Sequence, residues 1–372
     1  MLSSARADEL VSLSGSASGR RGQDLILKRR DIVVIGASAG GVEALRALVA
    51  HLPEGLPVSV LVVLHMRTGT SSALPRILDR AGPLPSEHAR DGERLEPGHV
   101  YVGPPDRHLL VRDGRVRLSA GPRENGHRPA VDPLFRTAAR AHGARVVGVV
   151  LSGALDDGTA GLAAVKRHGG LAVVQEPAEA LYPDMPSHAA ATVDVDHVLP
   201  VAGIAELITL VANETTAPAG HPAPEPEEDP VEMRLDPNPF GPRQGRPSPY
   251  ACPDCNGVLW EADEGGVMRF RCRVGHAWSP NGLLAEQSDR LEDALWTALR
   301  VLEEHGALAR RLAERAEERG AAASVRHFAT KAERWEDQAT TIMRILMAGQ
   351  AEPAAPESDP EGLPVLDEGS AP

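Results

Sequence analysis

Three sets of residues in this 372-residue chain have the types and spacing that chemistry needs: a serine in a glycine-rich turn, a histidine and a pair of aspartates that follow apolar runs, and three cysteines with a histidine. The turn reads Gly36-Ala37-Ser38-Ala39-Gly40-Gly41. It follows the β-branched run at 32–35 and precedes a helical pattern, so Ser38 stands where a parallel strand bends into its helix. Gly36 and Gly40 flank it in the G-x-S-x-G spacing of a nucleophile elbow. Backbone N–H groups of Ala39, Gly40 and Gly41, at the start of the helix, are candidates to hold an oxyanion. The same strand, glycine and helix sequence also suits a phosphate-binding loop. Against that rival, Ser38 replaces the second glycine of a dinucleotide loop, the next strand ends in His65 instead of a ribose-binding acid, and no Gly-Lys-Ser/Thr occurs here.

A serine hydroxyl needs a base that works near neutral pH, and histidine suits that role. His65 follows the apolar strand at 58–64, which puts it on the sheet edge where open α/β folds bind ligands. A strand-end histidine can equally do no more than hydrogen-bond a loop. The third group of such a constellation is a carboxylate that orients the imidazole. After the apolar run at 145–151 comes Ser152-Gly-Ala-Leu-Asp156-Asp157-Gly158, again at a strand end. Either aspartate could serve, or could cap the helix that begins near Thr159, and these residues alone do not separate Asp156 from Asp157.

The elements that must position these groups alternate short β-branched runs with helical patterns, the mark of a parallel sheet covered by helices. Strands are predicted at 32–35, 58–64, 100–102, 145–151 and 171–175, and helices at 42–51, 71–81, 133–141, 159–168, 186–192 and 201–212. Asp113-Gly114 at the centre of an alternating run over 109–118 predicts a hairpin. The expected fold is a doubly wound, mostly parallel α/β sheet with helices on both faces and an antiparallel edge hairpin, over 31–212. Residues 1–30 read as a disordered tail, 213–248 as a Pro- and acid-rich linker, and 349–372 as a disordered acidic tail. Two smaller parts lie between the last two: a cysteine module at 249–280 and a helical hairpin at 281–348. The hairpin's apolar positions Leu291, Leu295, Leu302, Leu308 and Leu312 are expected to form its packing face.

All three cysteines lie in that module, which argues for metal ligation and against a disulfide framework. Cys252-Pro-Asp-Cys255 and Cys272-Arg-Val-Gly-His276 have zinc-ribbon spacing, and three thiolates with one imidazole complete a tetrahedron. A structural zinc is therefore expected, with no cofactor for catalysis. Arg269, Arg271 and Arg273 lend the module some basic character, but the net charge of -13 argues against nucleic acid. No apolar stretch is long enough to span a membrane and the first thirty residues show no secretory signal, so a cytoplasmic protein is expected.

The segments Val34-Ile-Gly-Ala-Ser38-Ala-Gly-Gly, Leu64-His65-Met66, Tyr101-Val-Gly-Pro-Pro-Asp106-Arg-His108, His127-Arg128-Pro129-Ala-Val-Asp132-Pro-Leu-Phe135, Leu151-Ser-Gly-Ala-Leu-Asp156-Asp157-Gly158 and Met185-Pro186 resemble the catalytic domain of the bacterial chemotaxis protein-glutamate methylesterases, the CheB-type family. The resemblance implies Ser38 as nucleophile, His65 as base and Asp157 as its partner, with Asp156 a bystander. It implies hydrolysis of glutamyl methyl esters on methylated chemoreceptors or receptor-like sensors, with possible deamidation of receptor glutamines, in chemotaxis-type adaptation. The alternatives are a catalytically weak signalling scaffold and a general carboxylesterase. Ala154-Leu155 departs from the Met-Gly usual in the family, so an altered loop is expected there. Residues 1–30 are too short for the receiver domain that usually precedes the esterase, so direct control by aspartyl phosphorylation is not expected. The run from Cys252 to Leu302 resembles an extension found on some stand-alone relatives, which implies no particular function.

Overall fold

The protein is described from a computed structural model, which covers residues 30–66, 72–213 and 245–349. The expected N-terminal tail, most of the linker and the C-terminal tail fall outside these residues. In chain order the elements are β1 (Ile32–Ala37), α1 (Gly41–His51), β2 (Ser59–Leu64), α2 (Leu74–Ala81), β3 (Ser86–His88), β4 (His99–Val102), β5 (His108–Arg112), β6 (Arg115–Ser119), α3 (Val131–His142), β7 (Val146–Val150), α4 (Thr159–Arg167), β8 (Leu171–Gln175), α5 (Asp184–Thr192), β9 (His197–Leu199) and α6 (Val201–Asn213). They are followed by β10 (Arg246–Ala251), β11 (Val258–Asp263), β12 (Met268–Cys272), β13 (Ala277–Trp278), α7 (Pro280–Glu318) and α8 (Ala322–Gly349).

The chain divides into two compact units. The first comprises the described residues up to Tyr250 together with Gly257–Ser279, and the second comprises Ala251–Asn256 and the described residues from Pro280 onward. A seven-stranded sheet of order β3-β4-β2-β1-β7-β8-β9 forms the centre of the first unit, and every strand pair in it is parallel. The β-branched runs explain why both faces are buried. Val33, Ile35, Val60, Val62, Val147 and Val149 point to one face, against α1, α2 and α6. Their sequence neighbours Val34, Leu61, Val63, Val146 and Val150 point to the other, against α3, α4 and α5. The strand order runs outward in both directions from β1, so the crevice of an open α/β sheet falls at the carboxyl ends of β2, β1 and β7.

The Asp113-Gly114 turn forms, with φ of 50° and 68°. Its strands β5 and β6 pair with each other as a two-stranded sheet instead of extending the edge of the large one. Leu109, Val111 and Val116 turn the hairpin into a cover for the α3 face. A further sheet has the order β10-β11-β12-β13. In the second unit α7 and α8 pack through Leu299, Ala339 and Leu346, with Leu295 and Leu302 beside them. Leu291, Leu308 and Leu312, expected on that packing face, are exposed. No helix among the described residues is long and apolar enough to cross a membrane.

Candidate active site

Ser38 directly follows β1 and His65 directly follows β2, whose last residues Ala37 and Leu64 are register partners. Neighbouring strands lie about 4.8 Å apart, so the two residues leave the sheet side by side. The His65 amide donates to Ala37 O at 3.1 Å, and the Ser38 amide donates to Ser152 O at 2.9 Å, just beyond β7. Three adjacent strand ends are thereby tied around the serine. The glycines divide the work differently from a simple elbow. Gly40 carries the left-handed conformation, φ 69°, while Gly36 lies within β1, where a Cβ would come within 2.7 Å of the Val131 side chain. Gly36 therefore serves the close approach of α3, and the turn itself depends on Gly40. A Cβ on Gly153 would stand 2.8 Å from that of Ser38, so this glycine leaves Ser38 its space.

Of the amides considered for an oxyanion, that of Gly41 donates to Ser38 O at 2.9 Å. Those of Ala39 and Gly40, at the start of α1, donate to no carbonyl among the described residues. The Ser152 hydroxyl donates to Ala39 O at 2.8 Å and accepts from the Tyr182 amide at 3.0 Å, which braces the turn against the 180–182 loop.

The structure separates the two aspartates. His65 Nε2 donates to Asp157 Oδ2 at 2.7 Å, whereas Asp156 takes the Ser279 hydroxyl at Oδ1. Four further N–H groups converge on Asp157: Val131 N at 2.7 Å, Asn125 Nδ2 at 3.1 Å, Gly158 N at 3.0 Å and Asp132 N at 3.4 Å. Burial alone would push this carboxyl up, but the His65 hydrogen bond and charge and the Val131 amide hold it well below the usual carboxylate range. An ionised Asp157 can only accept, so the His65 proton sits on Nε2. Nδ1 is buried without a hydrogen-bond partner among the described residues. A ring nitrogen with no other partner is what a base needs before it can take a proton from a neighbouring hydroxyl.

Sequence reasoning gave no role to several groups around this core. His127 stacks on His65 with ring centroids 3.7 Å apart and planes within 13°. Burial, then the neighbouring His65, drives its pKa down to about 3, so it packs as a neutral ring. Asp132 Oδ1 accepts the amides of Gly158 at 3.0 Å and Gly161 at 2.7 Å, and so caps α4 from α3, a role that the sequence left open to Asp156 or Asp157. Asn125 and Gly126 form a two-residue turn, with φ of 50° and 74°, closed by hydrogen bonds between Glu124 and His127. The Asn-Gly pair was the sequence signal for it.

Glu124 is buried among guanidinium groups: Arg136 at 2.8 and 3.0 Å, Arg269 at 3.0 Å and Arg271 at 3.0 Å. Burial opposes its charge, but the three arginines hold its carboxyl far below the ordinary range. Arg269 also pairs with Asp132 Oδ2 at 3.0 Å, and Arg271 with Glu264 at 2.6 Å. The basic character expected of Arg269 and Arg271 is thus spent internally. Cys252, Cys255, Cys272 and His276 bring four ligand atoms within 4.8 Å of one another, a group that could hold a metal ion.

Comparison with known proteins places these features in context. The family model described as CheB methylesterase matches residues 33–208. A protein-glutamate methylesterase/protein-glutamine glutaminase 3 of Anaeromyxobacter dehalogenans is 45% identical over 184 residues, 49% of this chain and 54% of that protein. The chain thus spans about half the length of that relative. A putative protein-glutamate methylesterase/protein-glutamine glutaminase of Leptospira interrogans is 38% identical over 178 residues, 48% of this chain and 92% of that protein. The CheB methylesterase catalytic domain of Thermotoga maritima is 34% identical, with a TM-score of 0.47, over 48% of this chain and 97% of that one.

Proposed function

This chain belongs to the CheB methylesterase family, and from that premise we propose that it hydrolyses glutamyl methyl esters of methylated chemoreceptors or receptor-like sensors through Ser38, His65 and Asp157. The observation that carries the reading is the 2.7 Å bond from His65 Nε2 to a carboxylate held ionised, one strand away from the serine. In the proposed reaction His65 Nδ1 takes the Ser38 hydroxyl proton as Oγ attacks the ester carbonyl. The amides of Ala39 and Gly40 receive the oxyanion, while Asp157 stabilises the imidazolium. The imidazolium returns its proton to the departing methoxide, which leaves as methanol. Water, deprotonated by His65, then resolves the acyl-enzyme to glutamate and free serine. The same attack on a glutamine side chain would release ammonia, the deamidation named for the relatives. Leu181 and Tyr182, exposed beside the serine turn, offer apolar surface to the partner.

For Cys252, Cys255, Cys272 and His276 we infer zinc. Three thiolates and an imidazole suit that ion, and a site filled by protein ligands is structural. Native mass spectrometry should find one zinc per chain.

Methanol release from a methylated receptor fragment tests the esterase reading. The full chain should release it and Ser38→Ala should not. Release that survives Ser38→Ala would overturn the assignment, and turnover of short acyl esters without receptor demethylation would redirect it to a general carboxylesterase.

A further inference from the structure

The turn that delivers Asn125 and His127 to the site is too small to hold itself, since even a complete lone hairpin is marginal in water. Its support comes from β12 and β13. The Asn125 amide donates to Ala277 O at 2.8 Å, and the Ala277 amide donates to Arg123 O at 3.2 Å, so the turn's first arm is paired to β13. Trp278, 2% exposed, lies 3.5 Å from the space above Gly126. The Ser279 amide donates to Asn125 Oδ1 at 2.7 Å. That bond fixes the side-chain amide so that Nδ2 faces Asp157.

Arg269, on β12, is 1% exposed and reaches three groups: it donates to Glu124 Oε2 at 3.0 Å and to Asn125 Oδ1 at 3.5 Å, and its guanidinium lies 3.0 Å from Asp132 Oδ2. A guanidinium carries five N–H donors and can tie several groups together. Arg269 gathers side chains that surround the catalytic carboxylate. Asn125 touches Asp157 directly, Asp132 binds the amides of Gly158 and Gly161 that follow it, and Glu124 opens the turn that ends in His127, stacked on His65.

We propose that β12 and β13 are a positioning element of the esterase site, in which Arg269 and the Ser279 amide hold Asn125 and Asp132 so that Asp157 and His127 meet His65 correctly. Arg269 is a positioning residue, acting through groups that contact the triad. The proposal rests on the triad reading above, and its test separates the two.

In the full chain, Ser38 labelling by a fluorophosphonate is resolved into its binding constant and its acylation rate. The low-field proton resonance of His65 Nε2–H is recorded alongside. Arg269→Gln should leave binding unchanged, slow acylation by about 10- to 100-fold, the scale common for outer-shell partners, and shift or remove the resonance. Arg269→Lys, which keeps a charge beside Asp132 but cannot span three acceptors, should recover part of the loss. Glu261→Gln, which removes an ion pair with Arg246 elsewhere on the same sheet, should match the unaltered protein. A folded Arg269→Gln with unaltered acylation and resonance would overturn the proposal. If that variant does not fold, Arg269→Lys decides by the same two readouts, with unaltered values overturning it and slowed acylation supporting it. If Ser38 is not labelled even in the unaltered chain, the triad reading fails and the resonance alone judges the positioning claim.

Discussion

Two carboxylates buried in the same unit are kept ionised by opposite means. Asp157 is met by N–H groups of the backbone, an amide side chain and one imidazole, Glu124 by three guanidinium groups. A carboxylate held by N–H dipoles and an imidazole, with no fixed cation beside it, keeps its charge for a histidine that must become cationic during a reaction. A permanent cation beside it would compete with that imidazolium. A carboxylate held by fixed cations is an anchor, strong in place and costly to break. On the triad proposed above, the pattern of partners thus distinguishes the reacting acid from the structural one.

Asp157→Asn should produce the largest effect, because it removes the charge that stabilises the His65 imidazolium. A loss of about 10⁴-fold in kcat is expected, measured as methanol release, while Asp156→Asn should stay within a few-fold. Equal losses would erase the distinction between the two neighbours. Glu124→Gln attacks the other region. It leaves three buried guanidinium groups with one charge too few to face, and about 3–5 kcal/mol of stability should be lost in urea unfolding. A cost below about 1 kcal/mol would mean that the cluster is solvated and not an anchor.

The two regions also differ in how far the sequence revealed them. Ser38, His65 and Asp157 each follow a β-branched run that continues straight into a turn, so local pattern was enough to put all three on one sheet edge. Even there, choosing Asp157 over Asp156 took either family resemblance or the hydrogen bond to His65. The strand runs at 58–64 and 171–175 were legible for the same reason, as stretches buried on both faces. The anchor was not legible. Glu124, Arg136 and Arg269 are ordinary charged residues in sequence, and Glu124 meets Arg269 across 145 positions. Nothing periodic links them, and an arginine-containing strand beside candidate metal ligands reads most simply as surface. The Asp113-Gly114 hairpin was foreseen but not its place, because turn chemistry specifies a pair of strands and not what that pair packs against.

The burial of His127, stacked on His65, yields a pH signature. The folded protein keeps His127 neutral down to about 3, whereas an unfolded histidine takes up a proton near 6.5. Between those values the unfolded chain binds the extra proton, so stability must fall as pH drops below about 6.5, approaching about 1.4 kcal/mol per pH unit from this residue. His127→Phe keeps a ring against His65 and cannot titrate. Urea unfolding at pH 7 and pH 5 should show a shallower dependence in that variant, and an unchanged slope would mean that His127 is solvated in the folded protein.

The smallest expected effect tests the loop at Ala154-Leu155, which the family resemblance marks as altered. Leu155 adopts φ of 64°, in the left-handed region, where a side chain costs about 1–2 kcal/mol. Glycine would relieve that strain but surrender up to about 1 kcal/mol to its freedom in the unfolded chain. Leu155→Gly should therefore raise stability by no more than about 1 kcal/mol. If the departure tunes the fit of the substrate, the variant should change KM for a methylated receptor fragment while the acylation rate of Ser38 by a small fluorophosphonate stays the same, since the residue that holds His65 is Asp157 and its partners are untouched. A fall in that acylation rate would instead tie the loop to the catalytic carboxylate and narrow the difference between the reacting acid and its surroundings.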